Sequence, residues 1–316
     1  MTDQNERKAL QKIEEGNKKL NKSTGFLSSL LGGGGSGVSE AIDCFINAGN
    51  SFKVAKNWNS AGEIFLRVAD LHEKHSDSKF DAAQNYSEAG TCYRKVDTHK
   101  AIDCHNKAAE VYIDMGKFIM AAKVHGTMGE IYEDDITRGE LDKNKKEQYK
   151  EKCMNEYQKA ADYYKGEEQK SSASKCLVKV GLYAAELGQY QHAMHTFEEI
   201  AIYEVENSML KYASKTHFFQ ALLCALCYDL LAAKSALKRY EEIAPIFAGS
   251  DESKFIRKLI HCSGDPDGFA QEVKERDDRL RFDTWHTNIL LKIKRTCGDG
   301  GEVMNDGETE EDEDLR

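Results

Sequence analysis

Two prolines, Pro245 and Pro266, are all that this 316-residue chain contains. Proline breaks helix interiors, so its scarcity leaves long uninterrupted helices open along most of the sequence. No run approaches the roughly 18 apolar residues that a membrane-crossing helix needs, which limits membrane contact to one side. Met1–Glu15 is polar and charged, unlike a secretory signal. A cytoplasmic protein is expected. The glycines at 32–35 are not followed by Gly-Lys-Ser/Thr, so they are no phosphate loop. Neither a nucleophile elbow nor a kinase motif set occurs, and no enzyme is expected.

Metal and redox chemistry also lack their patterns. Cys224-Ala-Leu-Cys227 has no second pair and lies in the most apolar stretch, while His192 and His195 have no third ligand. Most of the nine cysteines fall on or beside apolar stripes, as at Cys44, Cys104 and Cys176. Free core thiols in a reducing compartment are expected, with no cofactor and no metal.

A repeat fills the space these absences leave. Its unit is small-x3-aromatic-x2-small-small-x2-aromatic, in steps of about 20 residues. Copies run as Ala41-Phe45-Ala48-Gly49-Phe52, Ala61-Phe65-Val68-Ala69-His72, Ala82-Tyr86-Ala89-Gly90-Tyr93, Ala101-His105-Ala108-Ala109-Tyr112 and Ala121-His125-Met128-Gly129-Tyr132. Offsets of 4, 7, 8 and 11 put every marked residue on one stripe of a helix. Small residues let a neighbouring helix approach closely and rings fill the gaps, so His105 and His125 are expected in the core. One unit cannot bury its own stripe, and successive units must stack. An all-α, tetratricopeptide-like solenoid of helical hairpins is predicted. Two units make a hairpin of about 40 residues against the usual 34, so the match is to the class, not the strict motif.

The pattern resumes at Cys153-Tyr157-Ala160-Ala161-Tyr164, then Ala173-Leu177-Val180-Gly181-Ala184 and Ala193-Phe197-Ile200-Ala201. The excess length before Cys153, in the charged segment Glu133–Glu151, reads as a solvated insertion or a longer loop. Four regions follow: a lysine-rich helix with an apolar loop over 1–37, the solenoid over 38–206, a helical bundle over 207–297, and an acidic disordered tail over 298–316. Within the bundle, the apolar run Phe218–Leu237 reads as a helix buried on most sides.

Charge is unevenly placed. Of the net charge of −10, −8 falls in Gly298–Arg316, which has nine acidic residues and one basic, leaving −2 on the other 297 residues. Lys56, Arg94, Lys95, Lys117, Lys123, Lys165, Lys175, Lys179 and Lys215 recur near expected helix ends. Singly each is a solvated side chain; along one face of a solenoid they would form a basic strip for an acidic, elongated partner. Phe26, Leu27, Leu30 and Leu31 sit between glycines, with lysines at 8, 12, 18, 19 and 22 upstream. Packing against the solenoid start is the plain reading. Shallow insertion into an anionic bilayer interface is the sharper one. Leu315, after the acidic run that includes Asp312, Glu313 and Asp314, suggests a docking signal.

Several stretches closely resemble the alpha/beta branch of the soluble NSF attachment proteins. They are Met-Gly-Lys-Phe-Ile-Met-Ala-Ala-Lys at 115–123, Ala-Asp-Tyr-Tyr-Lys-Gly-Glu-Glu at 161–168, Ser-Ser-Ala-Ser-Lys-Cys-Leu-Val-Lys-Val at 171–180 and Leu-Lys-Tyr-Ala-Ser-Lys at 210–215. Trp285–Lys294 and the closing Glu-Asp-Leu-Arg continue the match, which covers about residues 7–296 and the terminus.

The resemblance implies a right-handed twisted sheet of antiparallel helices with a C-terminal bundle. It implies an adaptor that coats the SNARE four-helix bundle of syntaxin, SNAP-25-like and synaptobrevin-like proteins. That adaptor recruits the hexameric ATPase NSF and stimulates its ATP hydrolysis, so that SNAREs are disassembled after membrane fusion. By matching position, Lys56, Arg94, Lys95, Lys117, Lys123, Lys175, Lys179 and Lys215 would face the SNARE bundle. Phe26, Leu27, Leu30 and Leu31 would attach to membrane lipid, giving a peripheral location on the cytosolic face. Asp265, Asp267, Asp312, Glu313, Asp314 and Leu315 would meet NSF. No nucleic acid partner is implied. The chain departs from the family in its charged segment near 133–146, in Cys262–Asp267, which replaces a more acidic stretch, and in its longer glycine-rich tail. The rival reading is a generic co-chaperone that binds peptide tails of other partners.

Overall fold

The computed structural model describes residues 2–24, 34–75, 78–139 and 141–298, and among them every regular element is a helix. In chain order these are α1 (Thr2–Thr24), α2 (Gly34–Val54), α3 (Trp58–His75), α4 (Lys79–Tyr93), α5 (Thr98–Asp114), α6 (Phe118–Arg138), α7 (Lys143–Gly166) and α8 (Lys170–Glu186). They continue as α9 (Tyr190–Glu206), α10 (Ser214–Tyr228), α11 (Leu230–Ile243), α12 (Pro245–Ala248), α13 (Asp251–His261), α14 (Pro266–Arg279) and α15 (Thr284–Gly298). The chain divides into two compact units, one up to Lys179 and one from Val180.

In the first unit, the predicted stripe explains how neighbouring helices meet. The alanines at 41, 48, 61, 82, 89, 101, 108 and 121 are fully buried, as are the rings of Phe45, Tyr86, Tyr93 and Tyr112. Each glycine at repeat offset 8 accepts the ring at offset 4 of the following unit. Gly49 lies under Phe65, Gly90 under His105 and Gly129 under Tyr157. A methyl group at any of these glycines would stand 2.7–3.0 Å from the ring. The same pairing recurs in the second unit, where Gly181 lies under Phe197.

The turns have a repeated geometry of their own. At 55–57, 115–117, 167–169 and 187–189 the chain leaves a helix through one left-handed residue. The amide after it bonds back five residues: Asn57 to Phe52 O at 2.9 Å, and Lys117 to Tyr112, Gln169 to Tyr164 and Gln189 to Ala184 at 2.8 Å each. Gly116 and Gly188 suit that conformation, with φ of 66° and 76°, but Lys56 at 61° and Glu168 at 57° do not. Side-chain caps start other helices: Asp97 accepts from Lys100 N, and Asp142 from Lys145 N.

Two sequence expectations need correction. The charged segment after Glu133 is not a longer loop: α6 runs on to Arg138 and α7 begins at Lys143. Helix packing absorbs it, with Tyr149 edge-on to Tyr132 at 5.4 Å and Lys152 lying over both rings. The run Phe218–Leu237 is not one buried helix either. Asp229 takes an extended conformation, ends α10 and caps α11 by accepting from Ala232 N, which leaves Tyr228 and Leu231 exposed.

The second unit packs aromatic rings around α10. Phe218 lies 4.5 Å from Tyr240 and 5.4 Å from Phe247, and Phe219 lies 6.1 Å from Phe255. The buried Arg276 guanidinium spreads over Phe219 and Phe255 at 5.4 and 4.9 Å, which gives a desolvated cation a partner. His105, His125 and Cys224 are core residues, whereas His192 and His195 are exposed.

Candidate functional site

Cross-links between alternate helices align α2, α4, α6 and the part of α8 up to Lys179 side by side in the first unit. Lys53 on α2 pairs with Glu88 on α4 at 2.8 Å. Arg94, just after α4, reaches Asp134 and Glu130 on α6 at 2.8 and 3.1 Å. Lys179 on α8 reaches Glu133 on α6 at 2.8 Å. Seven of the eight basic residues singled out in this unit belong to that layer or to the turns at its ends; the eighth, Lys165, lies in the last turn of α7.

Short connections reverse the chain after each helix, so they alternate between two edges of the layer. Lys56, Arg94 and Lys95 occupy the turns 55–57 and 94–97 on one edge. Lys117 lies in the turn 115–117 on the opposite edge, and Lys123 and Lys175 are in the second turns of helices that start there. The residues are therefore not one row but two, on either side of a common layer. A helix of 15 residues, such as α4, is roughly 22 Å long, about two helix diameters.

The cations also differ in state. Lys56, Lys95, Lys117, Lys123 and Lys175 are exposed and carry no ion pair among the described residues. Arg94 is already engaged, and its hydrogen bond to Asp134 raises its pKa further. Lys179 is engaged by Glu133, whose other carboxylate oxygen accepts from Tyr157 Oη at 3.0 Å. These pairings carry no local sequence signal, because the partners lie 36–46 residues apart.

In the second unit, Lys215 and Lys211 both lie over the Tyr212 ring, at 5.8 and 5.4 Å. Tyr212 is 64% exposed and Met209 is 89% exposed, so the patch mixes apolar and cationic surface. Neither Met209 nor Tyr212 is among the residues singled out from the sequence for partner contact. The available signal is a methionine and a tyrosine placed where the repeat stops, in the turn Asn207–Ala213. Asp265 and Asp267 are exposed at the start of α14, where Asp265 caps the helix by accepting from Gly268 N at 3.0 Å. Phe26, Leu27, Leu30 and Leu31, and Asp312, Glu313, Asp314 and Leu315, lie outside the described residues. No described helix is long and apolar enough to cross a membrane.

A family profile described as "Soluble NSF attachment protein, SNAP" matches residues 7–298. The beta-soluble NSF attachment protein of Bos taurus is 42% identical over 303 residues, covering 95% of this chain and 97% of that one. The alpha-soluble NSF attachment protein of Homo sapiens is 42% identical over 293 residues, covering 92% and 95%. The vesicular-fusion protein SEC17 of Komagataella phaffii is 31% identical over 303 residues, covering 94% and 98%.

Proposed function

Since the chain belongs to the soluble NSF attachment protein family, we propose that it binds assembled SNARE complexes, recruits NSF and stimulates ATP hydrolysis by that partner. It hydrolyses nothing itself. SNAREs released in this way return to vesicle fusion and intracellular transport.

The observation that supports this reading most is the cationic layer. A four-helix rod is about two helix diameters wide, or roughly 20–24 Å. Laid across α2, α4, α6 and α8, it would meet Lys56, Arg94 and Lys95 at one edge and Lys117, Lys123 and Lys175 at the other. Lys179 lies between them. The second unit carries a patch of its own, in which Lys215 lies over Tyr212 beside the exposed Met209, and it tolerates apolar surface. Exposed charges are screened beyond about 8 Å at physiological salt, so binding weakens as salt rises. Many weak contacts, and confinement to a membrane, supply the avidity.

At the other pole of the chemistry, Asp265, Asp267 and the tail acids Asp312, Glu313 and Asp314 present negative charge to NSF, with Leu315 as the docking side chain. Phe26, Leu27, Leu30 and Leu31 give weak, reversible attachment to the cytosolic face of membranes, since four apolar side chains contribute roughly 1.5–3 kcal/mol each only if fully buried.

Pull-down of assembled SNARE bundle against separated SNARE strands tests the reading. The bundle is retained and is released by salt. Retention of neither would remove the proposal.

A further inference from the structure

Three carboxylates on one stretch of α6 already hold two of the cations that an acidic partner would need. Glu130 and Asp134, four residues apart on one face, both engage Arg94, and Glu133 engages Lys179. That stretch of α6 resembles the proposed cargo: a helix surface carrying carboxylates one turn apart. The carboxylates of Glu130 and Asp134 and the Lys179 side chain are about half exposed, while Arg94 and Glu133 are about a fifth exposed; the water-facing partner of each pair is held weakly enough to exchange.

We propose that Glu130, Glu133 and Asp134 act as an internal competitor, holding Arg94 and Lys179 in the free protein and yielding them only to a surface of denser negative charge. The inference rests on the reading above, in which these cations grip acidic helices, and it adds a source of specificity. A single acidic strand offers carboxylates at no greater density than α6 does, so it gains only the cations that are already unpaired. An assembled bundle presents carboxylates from several helices at once and displaces the α6 acids. A purely structural role, in which the pairs only staple α4, α6 and α8 together, makes the opposite prediction, because removing a staple loosens the layer and weakens binding.

The test uses the full chain with the amide variants Asp134→Asn, Glu130→Gln with Asp134→Asn, and Glu133→Gln. The probes are the assembled SNARE bundle, its separated strands, and poly-L-glutamate. Circular dichroism and thermal melting check each fold, and the single Asp134→Asn variant serves if the double variant melts early. The competitor predicts that polyglutamate and separated strands bind about threefold to fivefold more tightly, as expected for release of an exposed pair. The bundle should gain less, so its preference over strands narrows. Arg94→Gln should cancel the effect of Asp134→Asn. Unchanged or weaker polyglutamate binding by a folded variant would overturn the proposal. A wild type that retains neither SNARE form would instead remove the adaptor reading, and the polyglutamate series would still judge the competitor by itself.

Discussion

The imidazole of His105 lies directly on the backbone of Gly90: a methyl group at residue 90 would stand 2.7 Å from both Cδ2 and Nε2 of that ring. This contact is how one repeat unit grips the next, and it carries the first prediction. Gly90→Ala gains up to about 1 kcal/mol of helix propensity but forces apart a fully packed ring, at a cost of about 1–3 kcal/mol. Net destabilisation is expected in urea unfolding. Gly126 on α6 has nothing within 4 Å of an added methyl group, so Gly126→Ala should stabilise by up to about 1 kcal/mol. Equal effects at the two sites would contradict the packing described.

His105 is 2% exposed, and neither ring nitrogen has a hydrogen-bond partner among the described residues. Burial, helped by the Arg94 charge, pushes its pKa down from 6.5 to about 4. Between those values the unfolded chain binds a proton that the folded one refuses. This contribution is therefore fully present above pH 6.5 and is lost as pH falls towards 4, by about 3 kcal/mol in all. His105→Phe, which restores the ring found at Phe65 and Phe197, should flatten the acid decline. Parallel losses in both proteins over that range would exclude His105 as the source.

Lys56 stands in a left-handed turn position that glycine fills at Gly116 and Gly188. Lys56→Gly should raise stability by about 1 kcal/mol, since a side chain there is strained. It should also weaken SNARE-bundle binding, because it removes one cation from the edge shared with Lys95. Chemical denaturation and binding measured on the same variant check both signs.

Replacing Phe26 and Leu27 with Ser should reduce NSF-driven disassembly on liposomes more than in detergent-free solution of soluble SNARE fragments. Equal losses in the two settings would argue against lipid contact by this segment.

Much of this architecture could be read from residue spacing. The offsets of 4, 7, 8 and 11 place Ala41, Phe45, Ala48 and Phe52 in the core, and they anticipate the burial of His105 and His125. A small residue in the stripe marks where the next ring lands, as Gly129 does for Tyr157. What escaped was set by distant partners. The charged segment from Glu133 forms helix rather than loop, with partners supplied from elsewhere in the chain: Tyr157 and Lys179 on Glu133, Arg94 on Asp134, and Tyr132 against Tyr149. The break at Asp229 is one polar residue inside an apolar run, and only its bond to Ala232 N marks it as a cap. The basic residues could be counted in the sequence, but not their division between two edges, nor the capture of Arg94 and Lys179 by α6.

Disassembly of a preformed SNARE bundle by NSF and ATP, followed with and without this protein, tests the central claim most directly. Disassembly and ATP turnover should both depend on the added protein and fall as salt is raised. Turnover and disassembly that proceed identically in its absence would contradict the account.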